Sequence, residues 1–518
     1  LMKHVRSTAA PFALITLLGI GCVQVDASRD FRDASGGVAE RNGVTDAYDP
    51  ADEALCRAKT SEYLDGGLTI DEAVSVALLN NPAFQADFLS IGVSRADLVQ
   101  SGLLSNPTLF FSVRFPEAGG RSSLNFSFAQ QLVDLWQIPV RKQIAQADLE
   151  RTVANVLDRG VQLAAEVRTR CIQLLALQRT EQIASDNLNL THTLLKLSQA
   201  RLDAGETDPT DVNLVHSHVY QAEQVLIEIR RDRQAAELSL ASLLGLIRWP
   251  QKWDLRGSLE PDASEFIDAN ELVRWAQDER FDVRVVLSQI DSAEAQLERE
   301  YLEIFPNVTL GLEAERTDRR ALPGRKILAD TARASMATGA PTAPTIESRG
   351  QRNLIRRQIV DSLLGPSVQL TLPIWDQNQA QIAKTRFAVL QLRKQYESLL
   401  DRVTQEVHQA SIAAAAAREL AQLLGTKALP RARENVEIIR QQYENGEQGI
   451  LFLLEAQEAL LLQSRAHVDA LRDQALASAE LTRAVGGRRP AAPGRAPATT
   501  QPALTSPSDP VEPNHADK

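Results

Sequence analysis

The chain is an internal duplication. Residues 68–246 and residues 269–487 carry the same sequence patterns in the same order. In each half a long helical pattern ends at a glycine, Gly205 or Gly446, and another helical pattern begins six or seven residues later. Internal repeats decide the architecture before any local detail does. A duplicated unit of strands and long helices predicts a pseudo-symmetric ring or tube, which is not the shape of a compact enzyme.

Each half also carries two short runs in which apolar and polar residues alternate, a pattern typical of strands with two different faces. These runs are residues 109–115, 124–129, 308–314 and 368–372. Such strands would also suit a soluble sandwich. However, four of them in 518 residues cannot make a sandwich core, and two-stranded hairpins are unstable alone. We therefore predict that copies from other chains complete a closed barrel.

Long helical patterns follow the strands, at residues 139–203 and 378–444, with local breaks expected at Gly425 and Pro430. The helix that returns from the first tip has apolar residues at steps of three and four from Val212 to Leu243, a heptad seam interrupted at Arg233. Helices of this length bury an apolar stripe only against other long helices. A coiled-coil rod without a pore would satisfy this too, but strand hairpins at matching places make the rod less favoured.

The remaining segments define the domain boundaries. A basic start and an apolar run predict a signal peptide at 1–22 that ends in a lipobox with Cys22 as the lipidated residue, while cleavage after Ala27 is the alternative. Residues 23–67 read as an irregular exported linker, 247–268 as the link between the repeats, and 488–518 as a disordered tail. Extra residues at 316–365, rich in Lys and Arg, predict an enlarged basic loop outside the cell.

Composition and motifs argue against several other functions. The formal net charge of −11 argues against a nucleic-acid partner. His216 and His218 are two apart on a predicted helix and cannot ligate one metal together, and methionine is nearly absent. No phosphate loop, nucleophile motif or zinc-protease motif occurs, so we expect no catalytic residue, no metal site, no cofactor and no enzymatic activity.

Three local patterns, in this order and spacing, carry a family resemblance. The first is residues 68–73 with Asn80-Asn81-Pro82, the second is residues 372–379 after the fourth strand, and the third is Tyr443 with Gly446 after Pro430. Over residues 68–487 the chain resembles the outer-membrane efflux family, the TolC-like channels. The segment 372–379 is most similar to the heavy-metal efflux branch.

The resemblance implies an α+β fold, mainly α, with a duplicated helix-strand-strand-long helix unit. It implies a homotrimer that closes a 12-stranded outer-membrane β-barrel, continued by a 12-helix periplasmic coiled-coil tunnel. The implied function is a passive channel of a tripartite efflux system for small toxic solutes, metal ions or drugs. Its partners would be outer-membrane lipid, a periplasmic adaptor protein and an inner-membrane pump, of the resistance-nodulation-division type rather than the ABC type. The alternatives are the outlet of an ABC-driven protein secretion system and a periplasmic coiled-coil scaffold or adaptor with no pore.

In this family the tips narrow the tunnel and meet the adaptor, and two acids typically stand six and nine residues after the second glycine. Here Phe452 and Glu455 stand six and nine residues after Gly446, and Asp211 stands six residues after Gly205. The resemblance therefore predicts a periplasmic gate with an altered chemistry, and the alternative is that the acids are merely solvated. Its residues would be Gly205, Asp211, Tyr443, Gly446, Phe452 and Glu455.

Overall fold

A computed structural model describes residues 24–115, 122–247, 253–259, 268–318, 327–341 and 360–488. The signal-peptide prediction for 1–22, the lipidation prediction for Cys22 and the tail predicted at 488–518, apart from Arg488, fall outside these residues. Within the described part of the chain, no helix is both long enough and apolar enough to cross a membrane.

The prediction that residues 23–67 form an irregular linker is wrong. Helices α1 (Ser28–Asn42) and α2 (Glu53–Leu64), with a short turn at Pro50–Asp52 between them, pack on the first repeat. Val38 and Leu64 belong to its buried core. The polar, acidic composition suggested irregular chain, but a Cβ on Gly37 would lie 3.0 Å from Leu157, so this glycine permits close helix packing.

The first repeat contains α3 (Ile70–Asn80), α4 (Pro82–Ser101), β1 (Thr108–Arg114), β2 (Ser123–Gln131), α5 (Asp134–Asp203) and α6 (Pro209–Leu243). A capping box of Thr69 and Glu72 is present at the start of α3. The segment from there to Ser101 forms two helices and not one. Pro82 lacks an N–H and pushes Asn81 to extended geometry, with φ −70° and ψ 117°, so the helix restarts there.

The second repeat contains α7 (Ala269–Glu279), α8 (Phe281–Leu302), β3 (Asn307–Asp318), α9 (Ile327–Thr338), β4 (Val360–Thr371), α10 (Gln379–Leu423), α11 (Leu429–Glu444) and α12 (Ile450–Ala484). A π-helical turn at Leu424–Ala428 joins α10 to α11, which confirms the local breaks expected at Gly425 and Pro430. With 70 residues, α5 is roughly 105 Å long at the helical rise.

The four strands form one antiparallel sheet in the order β1-β2-β3-β4. All four predicted strands are present. However, β3 and β4 extend beyond the predicted runs and pair as far as Asp318 and Val360. The loop predicted at 316–365 is therefore shorter than expected at both ends, and α9 occupies part of it. The charged residues Glu313, Glu315 and Arg316 obscured the outer half of β3, because strands are normally poor in such residues.

The heptad seam of α6 packs on α5. Val212, Val215, Val219, Ala222 and Leu226 are buried, as the periodicity predicted. At the interruption, the Arg233 side chain forms an ion pair with Glu181 of α5, with a nitrogen–oxygen distance of 2.6 Å. The break in the seam is therefore a polar link between the two helices of the first hairpin.

Candidate functional site

The two helical tips have the same geometry. Gly205 and Gly446 adopt left-handed φ angles of 75° and 78°, which glycine allows without steric cost. The amide of Gly205 donates to the Leu202 carbonyl at 2.9 Å, and the amide of Gly446 donates to the Tyr443 carbonyl at 3.0 Å. Helices α6 and α12 begin at Pro209 and Ile450, four residues after each glycine and earlier than the six or seven expected.

One side chain fastens the two tips together. The Arg201 guanidinium lies over the Tyr443 ring, 4.7 Å from its centroid, and also donates to the Tyr443 carbonyl oxygen at 2.8 Å. A second contact pairs Arg201 with Glu206 at 3.4 Å. A guanidinium on an aromatic face with a charged hydrogen bond is a strong combination. Arg201 was not among the predicted tip residues. Its position one turn before Gly205 corresponds to that of Tyr443 one turn before Gly446, and this correspondence is the sequence signal for the contact.

Beneath this clamp is a small apolar core that joins both hairpins. Tyr443 is 4% exposed, and the same cluster takes side chains from α5, α6 and α12. Its buried members are Leu194, Val215, Tyr443, Ile450, Leu453 and Leu454. The tips therefore end in one packed unit and not in two separate turns.

The other predicted tip residues are placed differently. Asp211 is half-buried and accepts a hydrogen bond from the Thr207 hydroxyl, so it also closes its own turn. Phe452 is 52% exposed and Glu455 is exposed, and their spacing on α12 puts them on one face. The neighbouring residues Leu453 and Leu454 are instead buried in the tip core. Phe452 is thus a large apolar side chain that the isolated chain leaves uncovered.

Within each repeat, a side chain also holds the end of the returning helix. The Asn81 amide donates to the Leu243 carbonyl at 2.8 Å, which caps the end of α6. At the equivalent place in the second repeat, Arg280 Nη1 donates to the Ala484 carbonyl at 3.0 Å, which caps the end of α12. The motif Asn80-Asn81-Pro82 therefore caps the end of α6, and Arg280 caps the end of α12 in the second repeat.

The sheet separates its side chains into an apolar and a polar face. Directly paired positions across the strands are Phe128 with Leu109 and Leu312, and Leu312 in turn with Pro366. The next position, Ser127, pairs with Phe110 and Glu313. The apolar face continues over all four strands and stays exposed in the single chain; its members include Leu109, Phe111, Val113, Phe126, Phe128, Leu310, Leu312, Leu364, Val368 and Leu370.

The described residues contain no group of three or more His, Cys, Asp or Glu side chains placed to hold a metal ion. The two histidines considered above lie on α6, and the His216 ring stacks on Tyr220 with centroids 6.2 Å apart.

A protein-family model described as "Outer membrane efflux protein" matches residues 73–246 and 272–487. The cobalt-zinc-cadmium resistance protein CzcC of Cupriavidus metallidurans is 24% identical over 401 residues, covering 76% of this chain and 84% of that protein. The solved structure of CusC matches with a TM-score of 0.62 and 14% identity, covering 81% of this chain and 92% of CusC. VceC of Vibrio cholerae matches with a TM-score of 0.59 and 16% identity, covering 81% and 96%. The predicted fold class is confirmed.

Proposed function

The chain belongs to the outer membrane efflux protein family, and on this basis we propose that three copies form a passive channel for small toxic solutes. The protein resides in the outer membrane and extends into the periplasm. In the proposal, a periplasmic adaptor and an inner-membrane pump deliver the cargo to the tips. Metal ions are the favoured cargo, because the relative CzcC is named for cobalt, zinc and cadmium resistance. We propose a resistance-nodulation-division pump as the partner, with an ABC pump as the alternative.

The observation that carries the proposal is the sheet. Four strands leave β1 and β4 as unpaired edges, and an exposed apolar face covers the whole sheet. Open edges and an apolar face are both unfavourable in a free chain, and edges are not tolerated in a bilayer. Closure by three chains into a 12-stranded barrel removes the edges and turns the apolar face toward lipid.

Several measurements test the proposal. The full-length protein should sediment with outer membranes on fractionation of the cells, and after purification it should migrate as a trimer in mild detergent and produce discrete conductance steps in a planar bilayer. A monomer without conductance would instead support the coiled-coil scaffold without a pore. Deletion of the protein should raise sensitivity to divalent cobalt, zinc and cadmium. Impaired export of a protein with normal metal resistance would favour the ABC-driven secretion outlet.

We expect Phe452 and Glu455 to form the constriction at the tips. Three Phe452 rings around the trimer axis would narrow the opening and repel water, as hydrophobic constrictions do. Phe452→Ala should therefore raise single-channel conductance and increase leakage of periplasmic dye. Leu462→Ala is the matched control, because Leu462 is a 64% exposed residue further along the same helix.

Glu455→Gln should weaken cation selectivity with little change in stability, since Glu455 is exposed. Three carboxylates in a narrow opening would favour cations there. Reversal potentials in asymmetric KCl measure this selectivity. Unchanged conductance in Phe452→Ala together with unchanged selectivity in Glu455→Gln would place the gate elsewhere.

We also propose that Cys22 carries the lipid anchor. The observation is its position at the end of the apolar run of the signal peptide. Mass spectrometry of the mature N-terminus should find a lipid-modified Cys22. A mature chain that begins at Ser28 would show the alternative cleavage and exclude the anchor.

A further inference from the structure

A cavity of about 670 Å³ lies beside the π-helical turn, between the two repeats. Helix α5 contributes Arg179 and Gln182, α11 contributes Arg433, and α12 contributes Ser464 and His467. Gly425 of the π-helical turn closes one side. Neither the gate nor the sheet uses this cavity.

The charge of the cavity is opposite to that of the chain. The described residues that line it include Arg179, Arg433 and His467 but no Asp or Glu, although the chain has a net charge of −11. Neither arginine forms a hydrogen bond or an ion pair with another described residue. Two other arginines of α11 are paired, Arg431 with Glu434 at 2.7 Å and Arg440 with Glu444 at 3.0 Å. The Arg179 and Arg433 side chains are both exposed, and among the described residues that line the cavity they have no acidic partner.

His467 provides the third polar group. Its Nδ1 atom is buried and lacks a hydrogen-bond partner among the described residues, which is costly for a polar atom. Burial lowers the pKa of His467, and the charges of Arg433 and Arg179 lower it further. The charged groups that face His467 across the cavity are thus Arg179 on α5 and Arg433 on α11.

The backbone leaves room for this imidazole. A Cβ on Gly425 would lie 2.7 Å from His467 Cε1, a distance that no ordinary contact allows. Glycine at this position lets the ring sit against the π-helical turn, and such turns are frequent at functional sites.

We propose that this cavity binds a small oxyanion of the phosphate or carboxylate class, with Arg179 and Arg433 as ion-pairing groups and His467 Nδ1 as a hydrogen-bond donor. Guanidinium groups suit oxyanions because they present several donors in a fixed planar geometry. The anion would pair with both arginines, and a small rotation of the His467 ring would bring its Nδ1 atom, which is closed to solvent in the free chain, to the anion. It would also bridge α5 of the first repeat to α11 and α12 of the second.

The first test uses sulfate as the probe. Full-length protein in detergent is titrated with sodium sulfate by calorimetry, against sodium chloride of equal ionic strength. We expect saturable sulfate binding that Arg179→Gln and Arg433→Gln each weaken about tenfold or more, since each substitution removes a charge-assisted hydrogen bond to the anion. Arg440→Gln, a paired arginine on the same helix as Arg433, is the matched control and should bind as the unsubstituted protein does.

The second test varies pH. Sulfate keeps its charge between about pH 8 and pH 5.5, so a change in affinity over this range reports a group of the protein. Binding should strengthen as the pH falls and His467 takes up a proton. His467→Gln should bind sulfate with no such strengthening while folding normally, as judged by trimer migration.

Two results would overturn the proposal. One is the absence of any sulfate binding beyond that of chloride. The other is an equal loss in Arg440→Gln and Arg433→Gln, which would indicate a diffuse charge effect.

Discussion

Arg280→Met should destabilise each chain by about 3–5 kcal/mol, the usual cost of removing one partner of a buried ion pair. Arg280 is 8% exposed. Its guanidinium donates to both carboxylate oxygens of Asp282, at 3.0 and 2.7 Å, and to Glu406 at 2.8 Å. It also caps the end of α12 through the Ala484 carbonyl. Methionine fills much of the volume but leaves Asp282 without its cation, Glu406 with only the longer contact to Arg483 at 3.9 Å, and one carbonyl without its donor.

The measurement is the apparent thermal midpoint of the purified trimer, together with its level in membranes. Arg274→Met is the matched control, because Arg274 is an exposed arginine on the preceding helix α7. We expect Arg280→Lys to fall between the two, since an ammonium cannot make the paired contacts of the guanidinium. Equal midpoints for the Arg280→Met and Arg274→Met proteins would show that this cluster contributes no stability.

The loss of stability in the Arg280→Met protein should be smaller at low pH. Burial, and then the charge of Asp282, raise the pKa of Asp158 to about 6, while Arg280 lowers it. Loss of Arg280 removes an attractive charge and raises the pKa of Asp158 further. A carboxyl whose pKa is raised in the folded state binds its proton more tightly there, so it favours folding below that pKa and loses this contribution as pH rises. The Arg280→Met protein should therefore recover part of its midpoint between about pH 8 and pH 5.5.

Phe128→Arg should prevent stable insertion of the trimer into the outer membrane. Phe128 is 41% exposed and lies on the apolar face between Leu109 and Leu312. An arginine facing lipid costs about 2–4 kcal/mol near the bilayer midplane. The trimer would bear this cost in each of its three chains. We expect little trimer in the outer-membrane fraction and accumulation of degraded chain.

Ser127→Arg provides the matched control for this substitution. Ser127 is the adjacent residue, points to the polar face and pairs with Glu313 on β3. The new arginine would face a carboxylate and not lipid, so insertion should remain near normal. A similar defect in both proteins would contradict the assignment of the two faces.

Much of the architecture could be predicted from the sequence, because periodicity and repetition act locally. The alternating runs predicted all four strands, and the steps of three and four predicted the buried seam from Val212 to Leu226. Gly205 and Gly446 marked the tips, since few residues other than glycine adopt the left-handed conformation that ends these helices. The expectations that failed include the irregular chain at 23–67 and the full extent of the loop at 316–365. In both, local composition was overridden by packing or pairing with distant residues.

What the sequence determined by itself was the order and kind of elements, the duplication and the position of the tips. What only the tertiary structure decided was which distant side chains meet. Arg201 lies on Tyr443, Arg280 reaches Glu406 and Ala484, and Arg179 faces Arg433 and His467 across one cavity. Their partners lie on the other repeat or on distant helices, and no local period relates them. Such pairings depend on how long helices are rotated and shifted against each other, which is fixed by the packing of the whole chain.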